Sequence, residues 1–333
     1  MKNFLILLTS LIIPFSIFGQ VASPSLNPFQ PSKLAATSTW RYASTIGFEQ
    51  ENSKGETDVR TNGTDWLQSG DQDLRDSTGL MAFRWDPVTL EISSNNYSDS
   101  YVRVDGSPDV QSEFRNVDIN LSYRIDLISV GLSQKQRTSK ITQNNQTFNE
   151  DKEKSTGLSF DWMINEILFL AAGIDRVSVE KTDTNVGNEW DQSTVGVAVV
   201  SGYPGLEVFS FEMFYQYSPE SLSEAEGALA EHKQYSLETI GSSLGWQKYE
   251  YLFSVSTERM VSDQSDSFAG TAYDQESAYS KTRADIGYSP LNGLAFVVSA
   301  TLHETTTNQT ILGNTLESKA ISKGYSVGVG FNF

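Results

Sequence analysis

The sequence predicts an all-β protein, an antiparallel up-and-down transmembrane β-barrel of about 14 strands, with roughly 12 to 16 possible. Three observations predict it. Apolar residues alternate with small or polar ones in many segments, the links between these segments are alternately short and long, and an export signal precedes them all. Because successive side chains of a strand point to opposite faces, this alternation gives each segment one apolar and one polar face.

The first 19 residues have the three regions of a cleaved signal peptide. Lys2 precedes an apolar stretch from Phe4 to Phe18, and small and polar residues begin at Gly19. The stretch is shorter than the roughly 20 apolar residues of a membrane-crossing helix and contains several polar residues. We expect cleavage between Gly19 and Gln20, and no lipid anchor because no cysteine follows.

Residues 20–38 are predicted to form an extended periplasmic segment, and residues 39–333 the barrel. Pro24, Pro28 and Pro31 favour an extended backbone in the first of these regions. Entry of this segment into the barrel as a short plug is the alternative that the sequence leaves open.

Segments of strand character are expected near residues 39–50, 75–85, 88–98, 113–125, 128–138, 155–164, 167–181, 190–201, 206–217, 233–246, 249–261, 277–288, 293–305 and 319–333. Short links, at 86–87, 126–127, 165–166, 203–205, 247–248 and 289–292, have the length and chemistry of hairpin turns. Long polar links are expected at 51–74, 139–154, 218–232 and 261–276. Within them, Ser218–Leu229 has the cap, early proline and early acids of a short helix, lying over the barrel mouth or outside it.

The alternation has local faults. Tyr235 and Leu237 are out of phase with Ile240 and the apolar residues that follow, which a bulge near Glu238 would repair. Glu207 has the parity of the apolar face, and we expect it near a rim of the barrel.

The last strand carries the most informative motif. Tyr325, Val327, Val329, Phe331 and the terminal Phe333 share one face, opposite glycine, serine and asparagine. This motif resembles the final strand of bacterial outer-membrane β-barrels, which the barrel-insertion machinery reads during biogenesis. By strand number the chain is similar to the small 14-stranded monomeric porins and, more distantly, to the fatty-acid transporters, which carry a longer N-terminal hatch.

The resemblance implies a Gram-negative outer-membrane protein in contact with lipid and lipopolysaccharide, acting as a monomer. It implies a porin-like channel for passive diffusion of small hydrophilic solutes or ions. The alternatives are a transporter of hydrophobic small molecules and a structural or adhesin barrel with a closed lumen. A soluble β-sandwich or propeller would explain neither the alternation of short and long links nor the terminal phenylalanine.

Charged residues of the polar parity are candidates to line a pore, because a barrel of this width is not filled by its own side chains. The candidates are Arg41, Arg84, Glu91, Arg115, Asp118, Arg124, Asp161, Glu212, Glu250, Glu258 and Asp285. Either they face water, or they pair with one another and brace a closed barrel. Because acids outnumber bases on the later strands, an open pore is expected to prefer cations weakly.

Composition limits the other functions. The formal net charge of −18 argues against nucleic-acid binding, and the absence of cysteine removes disulfides and thiolate metal sites. Gly241–Gly245 matches G-x-S-x-G, but no helix follows and the motif lies within a predicted strand. Asp71, Asp73 and Asp76 lack the glycine of a tight calcium loop. We therefore expect no enzyme activity, no metal and no cofactor.

Overall fold

The computed structural model describes residues 32, 34–40, 43–65, 67–103, 110–143, 146–165, 167–181, 187–203, 206–226, 229–268, 271–311 and 313–333. The predicted signal peptide, its cleavage site and Arg41 lie outside these residues. No helix in the described ranges is long and apolar enough to cross a membrane.

The described chain folds as one closed antiparallel barrel of 14 strands, as predicted. A short 3-10 helix, Ala35–Trp40, comes first. The strands are β1 Thr45–Thr61, β2 Leu67–Trp85, β3 Val88–Arg103, β4 Val110–Ile125, β5 Ile128–Gln143, β6 Gln146–Met163, β7 Leu168–Lys181, β8 Gly187–Tyr203, β9 Glu207–Glu226, β10 Leu229–Lys248, β11 Tyr251–Phe268, β12 Thr271–Tyr288, β13 Gly293–Ile311 and β14 Asn314–Asn332.

Each strand pairs with its neighbours in the sequence, and β1 pairs with β14 to close the barrel. Thr45 lies opposite Asn332, and the backbone nitrogen of Phe333 donates to the carbonyl oxygen of Ser44 at 2.9 Å. Among the described strands, closure leaves no edge strand with unpaired backbone groups. Both ends of the barrel domain therefore lie at the same end of the barrel, which we term the terminal end.

The turns at the terminal end fall within a few residues of their predicted positions, whereas the long links at the opposite end are wrong. Most of 51–74 belongs to β1 and β2, and 218–232 belongs almost entirely to β9 and β10. The predicted helix at Ser218–Leu229 is therefore also wrong. These stretches lack apolar alternation but complete the backbone ladder with their neighbours, which polar strands beyond a membrane can do.

The register of β10 corrects a second expectation. Its pairing with β11 runs from His232 to Lys248 without a shift, so no bulge lies near Glu238. Leu237 keeps the parity of Thr239 and Gly241, which are buried in the interior. Irregular pairing occurs instead between Thr57 and Asp58 of β1.

The outer face is apolar near the terminal end, as the alternation predicts. Tyr325, Val327, Val329, Phe331 and Phe333 all project outward, with Tyr325 63% and Phe333 48% exposed. Similar rows of large apolar side chains run along the other strands and form a band around the barrel. Such a band is the surface that a membrane-spanning barrel presents to lipid.

Glu207, the charged residue of the apolar parity, lies at the first position of β9, at the rim of the barrel. Its Oε1 accepts a hydrogen bond from the indole Nε1 of Trp246 at 3.0 Å. A carboxylate at this level remains close to water, so its outward position is not costly.

Candidate functional site: the barrel interior

The segment Leu34–Trp40, which we term the plug, lies inside the barrel. The side chains from Leu34 to Thr39 are all buried, and the plug packs against β3, β4, β5 and β6. Hydrogen bonds fasten it to the wall: Ala36 N to Ser159 Oγ at 2.8 Å, Ser38 Oγ with Ser122 Oγ at 2.6 Å, and Thr39 Oγ1 with Ser129 Oγ at 2.9 Å.

In its described part the segment turns inward as a short helix, which is the alternative to an extended periplasmic segment that the sequence left open. Sequence explains the turn, because the hydroxyls of Thr37, Ser38 and Thr39 each donate to a carbonyl oxygen three residues earlier. Local bonds of this kind stabilise a short helical turn in place of an extended chain. Farther upstream, Ser32 donates from its backbone nitrogen to Glu91 Oε1 at 2.8 Å, which ties the segment to β3.

Two glycines of the wall make room for the plug. A Cβ atom at Gly131 would collide with the backbone of Ala35 and Ala36, and one at Gly173 would lie 2.6 Å from the side chain of Leu34. Any larger residue at Gly131 must push the plug or the wall away. The wall is therefore shaped to receive this segment.

One side of the interior is apolar. Leu34 of the plug is in a buried cluster with inward-facing residues of β7, β8 and β9, against which Met163 also packs. The buried members from the wall are Phe169, Ala171, Ala198, Val200 and Val208. We call this surface the apolar wall; it lies near the terminal end, where it buries Leu34 of the plug by the hydrophobic effect.

The other side, formed by β12, β13, β14 and β1, is charged. Arg283 donates to Asp285 Oδ1 at 2.5 Å and to Ser299 Oγ at 2.7 Å, and it also pairs with Glu49. Ser326 donates to Glu49 Oε1 at 2.6 Å. The side chains of Arg283 and Glu49 are each only 7% exposed, so this pair is desolvated as well as bonded.

A second group lies farther from the terminal end on the same side. Glu51 accepts from Lys281 Nζ at 2.9 Å and contacts Nε2 of His303 at 2.5 Å. The hydroxyl of Tyr279 lies 2.7 Å from Nδ1 of the same histidine. Together with Arg283, Glu49 and Asp285, these residues form what we call the charged wall. Its groups satisfy one another, as buried charges require.

The predicted pore-lining residues separate into two sets. Those that project inward from strands are Arg84, Glu91, Asp118, Arg124, Asp161, Glu212, Glu258 and Asp285. Several are fully buried, Glu91 against Ser32 and Asn120, and Asp285 against Ser254 and Arg283. That these side chains line a path for solutes stays a prediction.

Two of the predicted residues do not face the interior. Arg115 shares its parity with the outward-facing Val117 and Ile119, and its side chain is 72% exposed. Because the register of β4 with both neighbours is continuous, no bulge reverses this orientation. Glu250 lies in the turn between β10 and β11 and is exposed at the terminal end.

Glu49 and Glu51, which are central to the charged wall, were not among the predicted pore-lining residues. The predicted first strand ended at residue 50, so Glu51 was placed in a loop. The alternation in fact continues, because Glu49, Glu51 and Ser53 share the parity opposite to Ile46 and Phe48. If the same alternation is followed past residue 50, it places both glutamates on the inner face of the strand.

The residues that match a catalytic serine motif and those that resemble a calcium loop all lie within regular strands of the barrel. Ser243 of the G-x-S-x-G match lies within β10 with no helix after it, and Gly241 makes room for the ring of Phe214. Asp71 and Asp73 are on the outer face of β2, whereas Asp76 faces inward. Among the described residues no group of His, Asp or Glu side chains is arranged to hold a metal ion.

Comparison with protein-family models and with curated sequences gives no match. Solved structures share the architecture. A deltaS2S3 mutant of TodX, a monoaromatic hydrocarbon channel from Pseudomonas putida, matches with a TM-score of 0.54 and 7% identity over 90% of this chain and 93% of that one. A Pseudomonas aeruginosa FadL homologue matches with a TM-score of 0.51 and 9% identity over 96% and 98%.

At these identities the likeness concerns the fold. The closed antiparallel barrel of 14 strands, with an apolar outer band, is the architecture of a bacterial outer-membrane β-barrel. The first of these two neighbours is described as a monoaromatic hydrocarbon channel and the second as a homologue of FadL.

Proposed function

We propose that this protein is an outer-membrane channel for small hydrophilic solutes or ions, and that the plug closes it at the terminal end. The plug carries the proposal, because it is buried between the barrel walls at the level of the apolar band. Conduction then requires the plug to leave its hydrogen bonds to Ser122, Ser129 and Ser159. The likeness to outer-membrane channels supports the same function.

The charges of the interior support weak cation preference. Inward-facing acids on the described strands, among them Glu49, Glu51, Asp76, Glu91, Asp99, Asp118, Asp161, Asp175, Glu258 and Asp285, outnumber the bases Arg84, Arg124, Lys135, Arg137, Lys281 and Arg283. Because a pathway of net negative charge attracts counter-ions, cations are concentrated inside. Reversal potentials across a salt gradient measure this preference, and a shift toward chloride would contradict it.

Orientation and biogenesis follow the barrel's asymmetry. We place the terminal end in the periplasm, as in outer-membrane barrels, so that the strands extend beyond the apolar band on the outside. The outward row of β14, from Tyr325 to Phe333, is the surface available to the insertion machinery. Lipid and lipopolysaccharide surround the band of a monomer.

A second candidate is the transport of hydrophobic small molecules. The apolar wall favours it, because Phe169, Val200 and Val208 would offer an apolar surface once Leu34 withdrew. A structural neighbour is described as a monoaromatic hydrocarbon channel. Liposome swelling with sugars tests the first function, and uptake of toluene by cells that produce the protein tests the second.

A disulfide between plug and wall tests the channel directly. The chain has no cysteine, so Ser38→Cys/Ser122→Cys places a single pair where two hydroxyls now lie 2.6 Å apart. In planar bilayers we expect stepwise conductance from the reduced protein and none after oxidation, with recovery on addition of dithiothreitol. Ser122→Cys alone is the control and is expected to conduct under both conditions.

Two results would count against this function. Equal conductance of the oxidised and reduced double variant would show that the plug does not close the pathway. No conductance in either state, from protein shown to be folded by its slower gel migration after boiling, would leave the closed structural barrel as the better description.

A further inference from the structure

Exposed basic residues project outward just beyond the apolar band. They lie on β1, β2, β4, β6, β7, β11 and β14, where the apolar row of each strand gives way to polar residues. These residues, which we call the basic belt, are Lys54, Arg75, Arg115, Lys154, Arg176, Arg259 and Lys323.

The belt contrasts with the composition of the chain. Acidic residues number 42 against 24 basic ones, so a polar surface taken at random would be acidic. At the corresponding level, Asp73 of β2 lies opposite Lys54 and Asp191 of β8 contacts Arg176, whereas β10 and β13 carry the outward acids Glu238 and Glu304. Most of the belt therefore lies on the side of the barrel that includes β14 and β1 to β7.

Within the belt, the outer face of β1 to β4 forms a shallow bowl of about 470 Å³. Its floor is the sheet backbone at Asp76, Tyr97 and Phe114, which are register partners on adjacent strands. Its sides are the outward side chains that flank this row: Gln50, Arg75, Ser77, Asn96, Ser98, Glu113 and Arg115.

The two arginines of the bowl are available to a ligand. Arg75 contacts Asp73 at 3.5 Å and Arg115 contacts Glu113 at 3.9 Å, and their side chains are 67% and 72% exposed. Exposed ion pairs of this length contribute little to stability. A guanidinium binds phosphate through two parallel hydrogen bonds, so a phosphate group competes effectively for both arginines.

The apolar band is also interrupted on the side of the bowl that faces the terminal end. Gln50 and Asn52 of β1 lie opposite Val327 and Tyr325 of β14, so the polar surface begins earlier on β1 than on its neighbour. Farther toward the terminal end, Met81 and Ile119 restore the apolar surface. A ligand that fits has a phosphorylated, hydroxyl-rich head directly above acyl chains.

We propose that the bowl binds the phosphorylated sugar headgroup of an outer-leaflet glycolipid of the lipopolysaccharide type. The inference rests on the proposed outer-membrane location and orientation. Arg75 and Arg115 hold phosphate, and Gln50, Ser77 and Asn96 face the sugar hydroxyls. The rest of the basic belt attracts neighbouring headgroups without a pocket for them.

Native mass spectrometry of the refolded full chain tests the site. The protein in neutral detergent is titrated with deep-rough lipopolysaccharide, with the same lipid after removal of its phosphates, and with inorganic phosphate. We expect a retained adduct from the phosphorylated lipid alone. For Arg75→Gln/Arg115→Gln the affinity is expected to fall on the order of 10- to 30-fold, since each basic residue near an anionic lipid surface contributes roughly fivefold.

Matched variants separate the bowl from the rest of the belt. Arg176→Gln/Arg259→Gln removes two belt arginines that do not line the bowl and so do not contact a lipid bound there. This variant is expected to change the affinity less than threefold, on the order of one weak surface contact. Equal losses in both double variants, or unchanged binding in Arg75→Gln/Arg115→Gln, would overturn the site. Equal binding of the dephosphorylated lipid would overturn phosphate recognition.

The proposed function is tested independently. Conductance of Arg75→Gln/Arg115→Gln in a neutral bilayer is expected to equal that of the natural chain, because the bowl lies outside the barrel. Loss of lipid binding with conductance retained would refute neither the plug nor the channel. Retained adduct formation from a barrel that never conducts would refute the channel alone.

Discussion

The charged wall and the apolar wall face each other across one barrel but hold it together by different physics. On the charged wall, Arg283 bridges Glu49 and Asp285 through short charge-assisted bonds. On the apolar wall, Phe169 and Val208 are buried in a hydrophobic cluster with Leu34 of the plug. The charged wall joins strands to strands, whereas the apolar wall also holds a segment that is not part of the sheet.

This difference assigns a role to each wall. Removal of one member of a buried ion pair leaves the other charged and desolvated, so the charged wall is costly to break. Apolar contacts are non-directional and are lost in proportion to the area exposed, so Leu34 can separate from the apolar wall without leaving a bare charge. We infer that the charged wall fixes the barrel and that the apolar wall is the movable contact.

Replacement of the central arginine is expected to have the largest effect on stability. Arg283→Met leaves Glu49 and Asp285 buried without their common cation, which costs about 3 to 5 kcal/mol. Urea unfolding of the refolded barrel, followed by tryptophan fluorescence, measures the loss. Arg259→Met, at an exposed outward site on the adjacent strand, is the control and is expected to cost less than about 0.5 kcal/mol.

Truncation of the main aromatic residue on the apolar wall is expected to cost slightly less. Phe169→Ala removes a side chain that is 1% exposed, and such truncations cost about 3 kcal/mol or more when the cavity does not collapse. The same urea titration applies. A cost as small as that of Phe209→Ala, whose ring faces outward, would show that the apolar wall is not packed.

Obstruction of the plug is expected to change gating more than stability. In Gly131→Leu the new side chain occupies the place of Ala35 and Ala36, at a cost of about 1 to 3 kcal/mol that release of the plug relieves. The measurement is the open fraction in single-channel records, which we expect to rise. Gly79→Leu is the control, because its outward Cβ would meet nothing closer than 4.0 Å.

The smallest effect is expected at the edge of the charged wall. Lys281 pairs with Glu51 but its side chain is 25% exposed, and His303 contacts the same carboxylate. Lys281→Met is therefore expected to cost about 1 kcal/mol or less, after allowance for solvent screening. A loss as large as that of Arg283→Met would remove the distinction between the core of the wall and its edge.

Much of this architecture was predictable because a strand with one face toward lipid alternates apolar and polar residues. The sequence of such a strand therefore shows which side chains point outward. The row from Tyr325 to Phe333 gave the outward face of β14, and the short links gave the turns of the terminal end. Beyond the apolar band the pattern disappears, because both faces of a strand there are polar. The helix expected at Ser218–Leu229 and the loop expected after Glu51 were errors of this kind.

The candidate site was only partly predictable for a related reason. The alternation alone places Asp285 and Glu91 inside the barrel. It failed for Arg115, which was assigned to the inner face although it shares the outward face of Val117. It also failed for Glu250, which lies in a turn and not in a strand. Which charged side chains pair inside the barrel depends on how strands that are distant in sequence are placed relative to one another. Glu49 and Arg283 are joined only because β1 and β12 line the same side of the closed barrel.

The sequence by itself determined the all-β class, a strand number of about 14, the outward face of most strands and the terminal motif, because a period of two and the cost of exposing polar groups to lipid act locally. Tertiary structure alone decided that the N-terminal segment turns inward at Leu34, that Gly131 and Gly173 receive it, and that Arg283 meets Glu49. These contacts depend on closure of the barrel, which brings together residues that no local pattern relates.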